Sequence, residues 1–161
     1  MSEVTFEMNS IDEIMGYAQR EIDAVKEILI SNFLKIGEEA VNTAREFGEY
    51  IDDTGNLRSS TGCILLVDGI IVGESGFEPI KESGKEGAEQ GRAYARKIAE
   101  ELAIKYPTHI VLIVVAGKEY AEYVSDTGRD VLDSAEIVVE EKVHNLQHTL
   151  LNKLRNRYRS L

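Results

Sequence analysis

Three carboxylates, Asp52, Asp53 and Asp126, are the residues of this 161-residue chain whose types come nearest to a catalytic set. Together they could hold a divalent ion or share acid–base work, so a small metal-dependent hydrolase or nuclease is one reading of the chain. Two of them open an Asp-Thr-Gly triplet, Asp53-Thr54-Gly55 and Asp126-Thr127-Gly128. An aspartic protease uses that triplet at the end of apolar strands in a mostly β chain, whereas the first triplet here follows a helical pattern. Asp before Thr-Gly is also turn chemistry, because the short carboxylate bonds to its own backbone, and turns are the expectation. His144 and His148 stand one helical turn apart, but no zincin-type Glu and no third ligand lie nearby, so no metal site is expected. The run Gly84-Lys85-Glu86-Gly87…Gly91 precedes a helix but lacks the Gly-Lys-Ser/Thr ending of a phosphate loop. Cys63, the single cysteine, sits in an apolar run and reads as a small core residue rather than a nucleophile. Ser59, Ser60 and Ser75 lack a nucleophile-elbow context. The expectation is therefore a protein that is not an enzyme, with no catalytic residues, cofactor or bound metal.

Charge is unevenly placed. The chain has 18 Lys+Arg against 29 Asp+Glu, a formal charge of −11. Residues 142–161 hold Lys142, Lys153, Arg155, Arg157 and Arg159 and no acid, a local +5, which leaves −16 on the first 141 residues. An acidic body speaks against nonspecific binding to nucleic acid or anionic membrane over the whole surface. It favours a protein contact for the basic end, and an acidic cytosolic regulator binding a basic partner is a further reading. With 43% hydrophobic and 29% charged residues, the composition is that of a globular chain. No apolar run reaches the roughly 18 residues of a membrane span. The N-terminus, Met1-Ser2-Glu3-Val4, lacks the basic-then-apolar pattern of a signal peptide.

The elements that would position these residues follow from periodicity. Ser10 and Glu13 form a capping-box pattern, and apolar residues from Ile11 through Ile22, Leu29 and Ile36 recur at steps of three and four. They predict one helix to about Phe47, stopped by Gly48, that either breaks near Gly37 or projects part of its apolar face towards a partner. Leu57 to Val67 is predicted as a strand, turned back at Asp68-Gly69 into Ile70-Ile71-Val72. Residues 74–87, rich in Gly, Glu and Lys, are predicted as a mobile loop. A second helix opens on the Ser83/Glu86 pattern and ends at Tyr106-Pro107. A central apolar strand spans 109–115, a short strand 120–124, and a C-terminal helix starts near Ser134. The fold class expected over 1–161 is a single α+β domain: a long N-terminal helix, a mixed or antiparallel sheet of about four strands, a second helix and a long C-terminal helix.

Two stretches carry a family resemblance. Asp53-Thr54-Gly55-Asn56-Leu57-Arg58-Ser59-Ser60, between a long helix and a strand, resembles the Thr-Gly-X-Leu-Arg-X-Ser motif of the tail-completion family of long-tailed phages. Val115-Ala116-Gly117-Lys118-Glu119-Tyr120-Ala121-Glu122-Tyr123-Val124 is similar to that family's strand and Tyr-Ala-X-Tyr-Val segment before the C-terminal helix. These are the head–tail joining or neck proteins, also labelled minor capsid or minor tail proteins. The order of elements agrees over nearly the whole chain. Ser125-Asp126-Thr127-Gly128 stands where the family has Glu and an aromatic-Gly-Thr turn. The helix at 86–105 is longer than the simple family loop, as in variants from phages and prophages of Bacteroides-type hosts.

The resemblance implies a structural virion protein, a homo-oligomeric ring at the neck that joins the portal-side connector to the tail tube. It implies assembly in the host cytoplasm, a final place in the virion, DNA only as the genome passing through the channel, and no membrane partner. A net-negative inner wall would let that DNA pass without sticking. The residues expected to serve assembly are Leu57 and Arg58 at the strand entry, Tyr120 and Tyr123, and Lys153, Arg155, Arg157 and Arg159 at the basic helix end. Leu57, Tyr120 and Tyr123 are equally compatible with plain core positions.

Overall fold

The strand β1 (Gly62–Val67) is buried at every one of its six positions, which sets the architecture around it. The computed structural model describes residues 10–48, 52, 54–117 and 131–159. Within these, β1 is the centre of a three-stranded sheet in the order β2-β1-β3, with β2 (Ile70–Gly76) and β3 (Ile110–Val115) both antiparallel to it. Alternate β1 side chains point to opposite faces, so an all-apolar strand needs cover on both. Ile64 and Leu66, with Ile113 and Val115 of β3, pack under Ala95 and Ala99 of α3 (Lys85–Lys105). On the other face Cys63 lies beneath Gly37 of α1 (Ile11–Phe47), where Ala40 and Ala44 of α1 meet Ala135 of α4 (Asp133–Tyr158). The result is three layers: α1 and α4, the sheet, then α3.

The α+β class, the long first helix, the second helix and the long last one stand as expected. The sheet has three antiparallel strands among the described residues rather than four. The short strand expected at 120–124, with Tyr120 and Tyr123, lies outside the described residues, as do Asp53 and Asp126. The hairpin turns at Asp68-Gly69, both with positive φ (52° and 75°), the conformation an Asp-Gly pair adopts most readily. Register then slips between Leu65, opposite Gly73, and Leu66, opposite Ile71, which leaves Val72 as a bulge on the edge strand.

Three local expectations are corrected, and one pair of alternatives is decided. The predicted strand from Leu57 begins instead as a short helix, α2 (Asn56–Ser60), because its polar side chains and backbone are satisfied by tertiary partners described below. Residues 74–87 are not one mobile loop: β2 continues to Gly76, Phe77 is 1% exposed in the core, a 3-10 turn spans Glu82–Gly84, and α3 starts at Lys85. The Ser83/Glu86 box does not form; Gly84 is the N-cap of α3 and the Ser83 hydroxyl donates to the Thr54 carbonyl. Finally, α1 does not break at Gly37. A methyl at that position would sit 2.7 Å from Cys63 Sγ, so the glycine lets helix and strand approach while the helix runs on.

The Ser10 cap holds as predicted, accepting from the Glu13 amide at 3.4 Å, and Gly48 ends the helix. At ~1.5 Å per residue, 37 residues reach ~56 Å, against a diameter of roughly 40 Å for a compact chain of this size. The excess projects. All buried residues of α1 fall between Ile36 and Ala44, and α4, running antiparallel, has its buried residue Ala135 at the same end of the molecule. From Val25 back to Ile14, α1 lies along the last turns of α4, and together they form a two-helix arm.

Burial pushes the Cys63 thiol up to about 11, and the thiolate is the reactive form. Alkylation at pH 8 is therefore expected to be at least ~100-fold slower in the native chain than in urea, as read by mass spectrometry of time points. Equal rates would contradict the burial of β1.

Candidate functional site

The segment from Asp52 to Thr61, which holds the first motif, is a polar junction between all three layers. Gly55, at φ 76°, precedes α2 and offers no side-chain cap. Asp52 supplies one from a distance: its two carboxylate oxygens accept from the amides of Leu57 (3.4 Å) and Arg58 (2.9 Å), where the helix dipole also favours a negative charge. Arg58 and Arg45 of α1 then lock reciprocally. Arg45 Nε donates to the Arg58 carbonyl at 3.0 Å, Arg58 Nε donates to the Arg45 carbonyl at 2.9 Å, and Arg45 Nη2 reaches the Thr61 carbonyl at 3.0 Å. These charge-assisted bonds hold the end of α1 to the start of β1.

Each hydroxyl in the motif has an address. The Ser59 hydroxyl accepts from the Ile80 amide at 2.9 Å. The Ser60 hydroxyl donates to the Leu57 carbonyl and accepts from the Gly117 amide, both at 2.7 Å. Asn56 Oδ1 accepts from the Gly87 amide at 3.2 Å. The two Ser60 bonds are buried, so losing either would cost far more than losing a surface one. Gly87 and Gly91 of α3 face α2 directly: a methyl at Gly87 would stand 2.7 Å from Asn56 Cα, and one at Gly91 2.7 Å from Ser60 Cα. The glycines that invited a phosphate-loop reading are thus the surface on which two helix backbones touch. Their i, i+4 spacing, extended back to Gly84, was the signal in the sequence for that contact.

Asp52 is engaged as a cap, and no group of three or more His, Cys, Asp or Glu among the described residues could hold a metal ion. His144 and His148 share one face of α4, ring centroids 5.9 Å apart, with Asn152 beside His148. His109 opens β3, where its carbonyl accepts from the Asp68 amide at 3.1 Å and its ring meets the edge of Tyr106. Glu74 on β2 is clamped by Arg92 Nε (3.1 Å) and Arg96 Nη2 (3.0 Å) of α3. The buried Arg92 Nε lacks hydrogen-bond alignment, so the ion pair is what compensates it.

Of the residues expected to serve assembly, Leu57 is 4% exposed and packs with Ala116 and Val131, so it is core. Arg58 is half-buried in the junction. Lys153, Arg155, Arg157 and Arg159 are exposed along the outer turns of α4. Arg157 pairs with Glu21 of α1 at 2.9 Å, and Lys142 with Glu39 at 3.1 Å, so part of the basic helix is already matched within the chain. Between the helices runs an apolar trough, two adjoining grooves of about 590 and 580 Å³ that share Val25 and Leu154. It extends from Ile14 and Tyr17 at the tip to His109 and Ile110 at the sheet. Ile22 is 58% exposed along it, and Ile11 and Met15 on the same helix are 69% and 63% exposed. No helix among the described residues is long and apolar enough to cross a membrane.

No family model matches the chain, and neither a curated protein nor a solved structure matches it.

Two substitutions test the junction. Ser60→Ala strands the Gly117 amide and is expected to cost ~1–3 kcal/mol in urea unfolding. Gly91→Ala is expected to destabilise by ~1–3 kcal/mol, although alanine is the better helix former by ~1 kcal/mol. Gly16→Ala in the open arm, where only Arg20 Nη1 comes near at 3.7 Å, should instead stabilise by ~0.5–1 kcal/mol. Equal effects at Gly16 and Gly91 would remove the close-approach account.

Proposed function

We propose that the chain is a structural assembly protein rather than an enzyme: a component of the neck of a tailed phage or prophage, where copies form a ring joining the portal-side connector to the tail tube. The observation that carries this reading is the two-helix arm. A chain that builds α1 well past its sheet, and lines the excess with exposed Ile, Met and Tyr, has invested its apolar surface in contact with other protein. A ring of subunits that must hand over between two larger assemblies needs such a projecting element.

The motif Thr54-Gly55-Asn56-Leu57-Arg58-Ser59-Ser60 supports the reading in a different way. Its residues build the joint between α1, α2, α3 and β1, and a segment that builds the fold is one that chains sharing the fold would share. Leu57 takes the core alternative, and half-buried Arg58 braces the junction. Lys153, Arg155, Arg157 and Arg159 remain in the set of assembly residues, exposed on the arm. The partners proposed are other copies of the chain, the connector and the tail-tube protein, with DNA as passing cargo and the virion neck as the final location.

Deletion of the gene from an inducible prophage or phage that carries it tests the reading. The expected lysate contains DNA-filled heads and separate tails by electron microscopy, with joined particles restored by a plasmid copy. Intact infectious virions from the deletion strain would overturn the proposal.

A further inference from the structure

The distal arm carries two opposite charges on its two helices. Residues 11–30 of α1 hold Asp12, Glu13, Glu21, Asp23 and Glu27 against Arg20 and Lys26, a net −3. Residues 146–159 of α4 hold Lys153, Arg155, Arg157 and Arg159 and no acid, a net +4. Because the helices are antiparallel, both stretches lie at the same tip, as the Arg157–Glu21 pair records. Around them Ile11, Ile14, Met15 and Ile22 are 49–69% exposed, more apolar surface than three turns of a solvated helix ordinarily present.

We infer that the arm is a self-association surface and that its occupant is the arm of a second copy, with α1 of one chain against α4 of the other. The charges choose the pairing. Two α1 tips together would set −3 beside −3 and two α4 tips +4 beside +4, while α1 against α4 nearly cancels. The area suffices as well. The 20 residues of α1 make a strip roughly 30 Å long and the 14 of α4 one roughly 21 Å long, each roughly 10 Å wide, so two copies cover ~1,000 Å², the threshold for a specific interface. The edge strand β2 is the weaker candidate, since its exposed Ile70, Ile71 and Val72 are interrupted by the bulge that spoils a continuous ladder. The inference shares with the neck reading only the premise that copies of the chain meet. An isologous contact closes at two, and a heterologous one continues into a ring.

Sedimentation equilibrium of the full chain tests it. The expected mass is at least twice 18.0 kDa at about 100 μM, falling towards one chain as salt is raised. Met15→Glu with Ile22→Glu should weaken association at least tenfold, while circular dichroism and the urea midpoint, both taken at a dilution where the unaltered chain is monomeric, stay unchanged because both side chains are largely exposed in the single chain. Arg155→Glu with Arg159→Glu should weaken it as well, and mixing that chain with one carrying Asp12→Lys and Asp23→Lys should restore a mixed oligomer. A monomer at every concentration overturns the inference. So does an oligomer indifferent to the arm substitutions, and a mixed pair that fails to form overturns the α1-against-α4 arrangement. Arm-dependent association together with normal head–tail joining in the deletion strain would leave this inference standing and remove the neck reading.

Discussion

Six consecutive residues without a charged side chain, Gly62–Val67, constrain everything else in the molecule. Ile64, Leu65 and Leu66 are each at most 1% exposed, and burying each stabilises by about 1.5–3 kcal/mol only if both faces of the sheet are sealed. A three-stranded sheet cannot seal itself. One face takes α3, whose Ala95 and Ala99 allow it to lie close. The other takes the C-terminal part of α1, which approaches through Gly37, Ala40 and Ala44, with α4 beside it at Ala135. The small residues are therefore clustered where helices touch the sheet, and the large exposed ones lie where they do not.

Bringing two helical layers onto one strand creates a second requirement at the strand's entry. There α1 ends, α2 turns and α3 begins within a few residues of one another, and their backbone groups must all be paired once water is excluded. The answer is side chains acting as backbone partners: Asp52 for two amides, Ser59 and Ser60 for one each, Asn56 for the start of α3, and Arg45 and Arg58 for each other's carbonyls. Serines and an aspartate that look nucleophilic or acidic in a one-dimensional reading are thus consumed by satisfaction of the main chain. What they contribute is a rigid base from which the two long helices can project.

Local signals were read well where they were sufficient. Ser10 and Glu13 mark the start of α1, Gly48 its end and Asp68-Gly69 the hairpin, because each depends on chemistry within four residues. The failures share a cause at longer range. Leu57–Ser60 leads into an apolar strand pattern, but it forms a helix that is capped by Asp52 and braced by Arg45, 13 residues from Arg58. Ser83 has the spacing of a cap, yet its hydroxyl goes to Thr54. Phe77, one aromatic in a run of Gly and Glu, gave no period at all, and it is buried because Gly62 leaves room beneath its ring. The arm was legible in outline from the length of the stripe, whereas its partner α4 and the trough between them required the fold.

The uneven charge has two levels of meaning. Within one chain it sets the direction of α4 against α1, since Lys142–Glu39 and Arg157–Glu21 are in register only when the helices run antiparallel. Such exposed pairs are worth at most about 1 kcal/mol each, so they orient a packing that Val143, Leu146, Leu150 and Leu154 provide. Beside the matched Arg157, the like charges Lys153, Arg155 and Arg159 crowd the last turns of one helix and raise local repulsion. The helix dipole relieves part of that repulsion and fades within the last turn. An apolar tip carrying opposite charge on its two helices is the feature on which the proposed contact between identical chains rests.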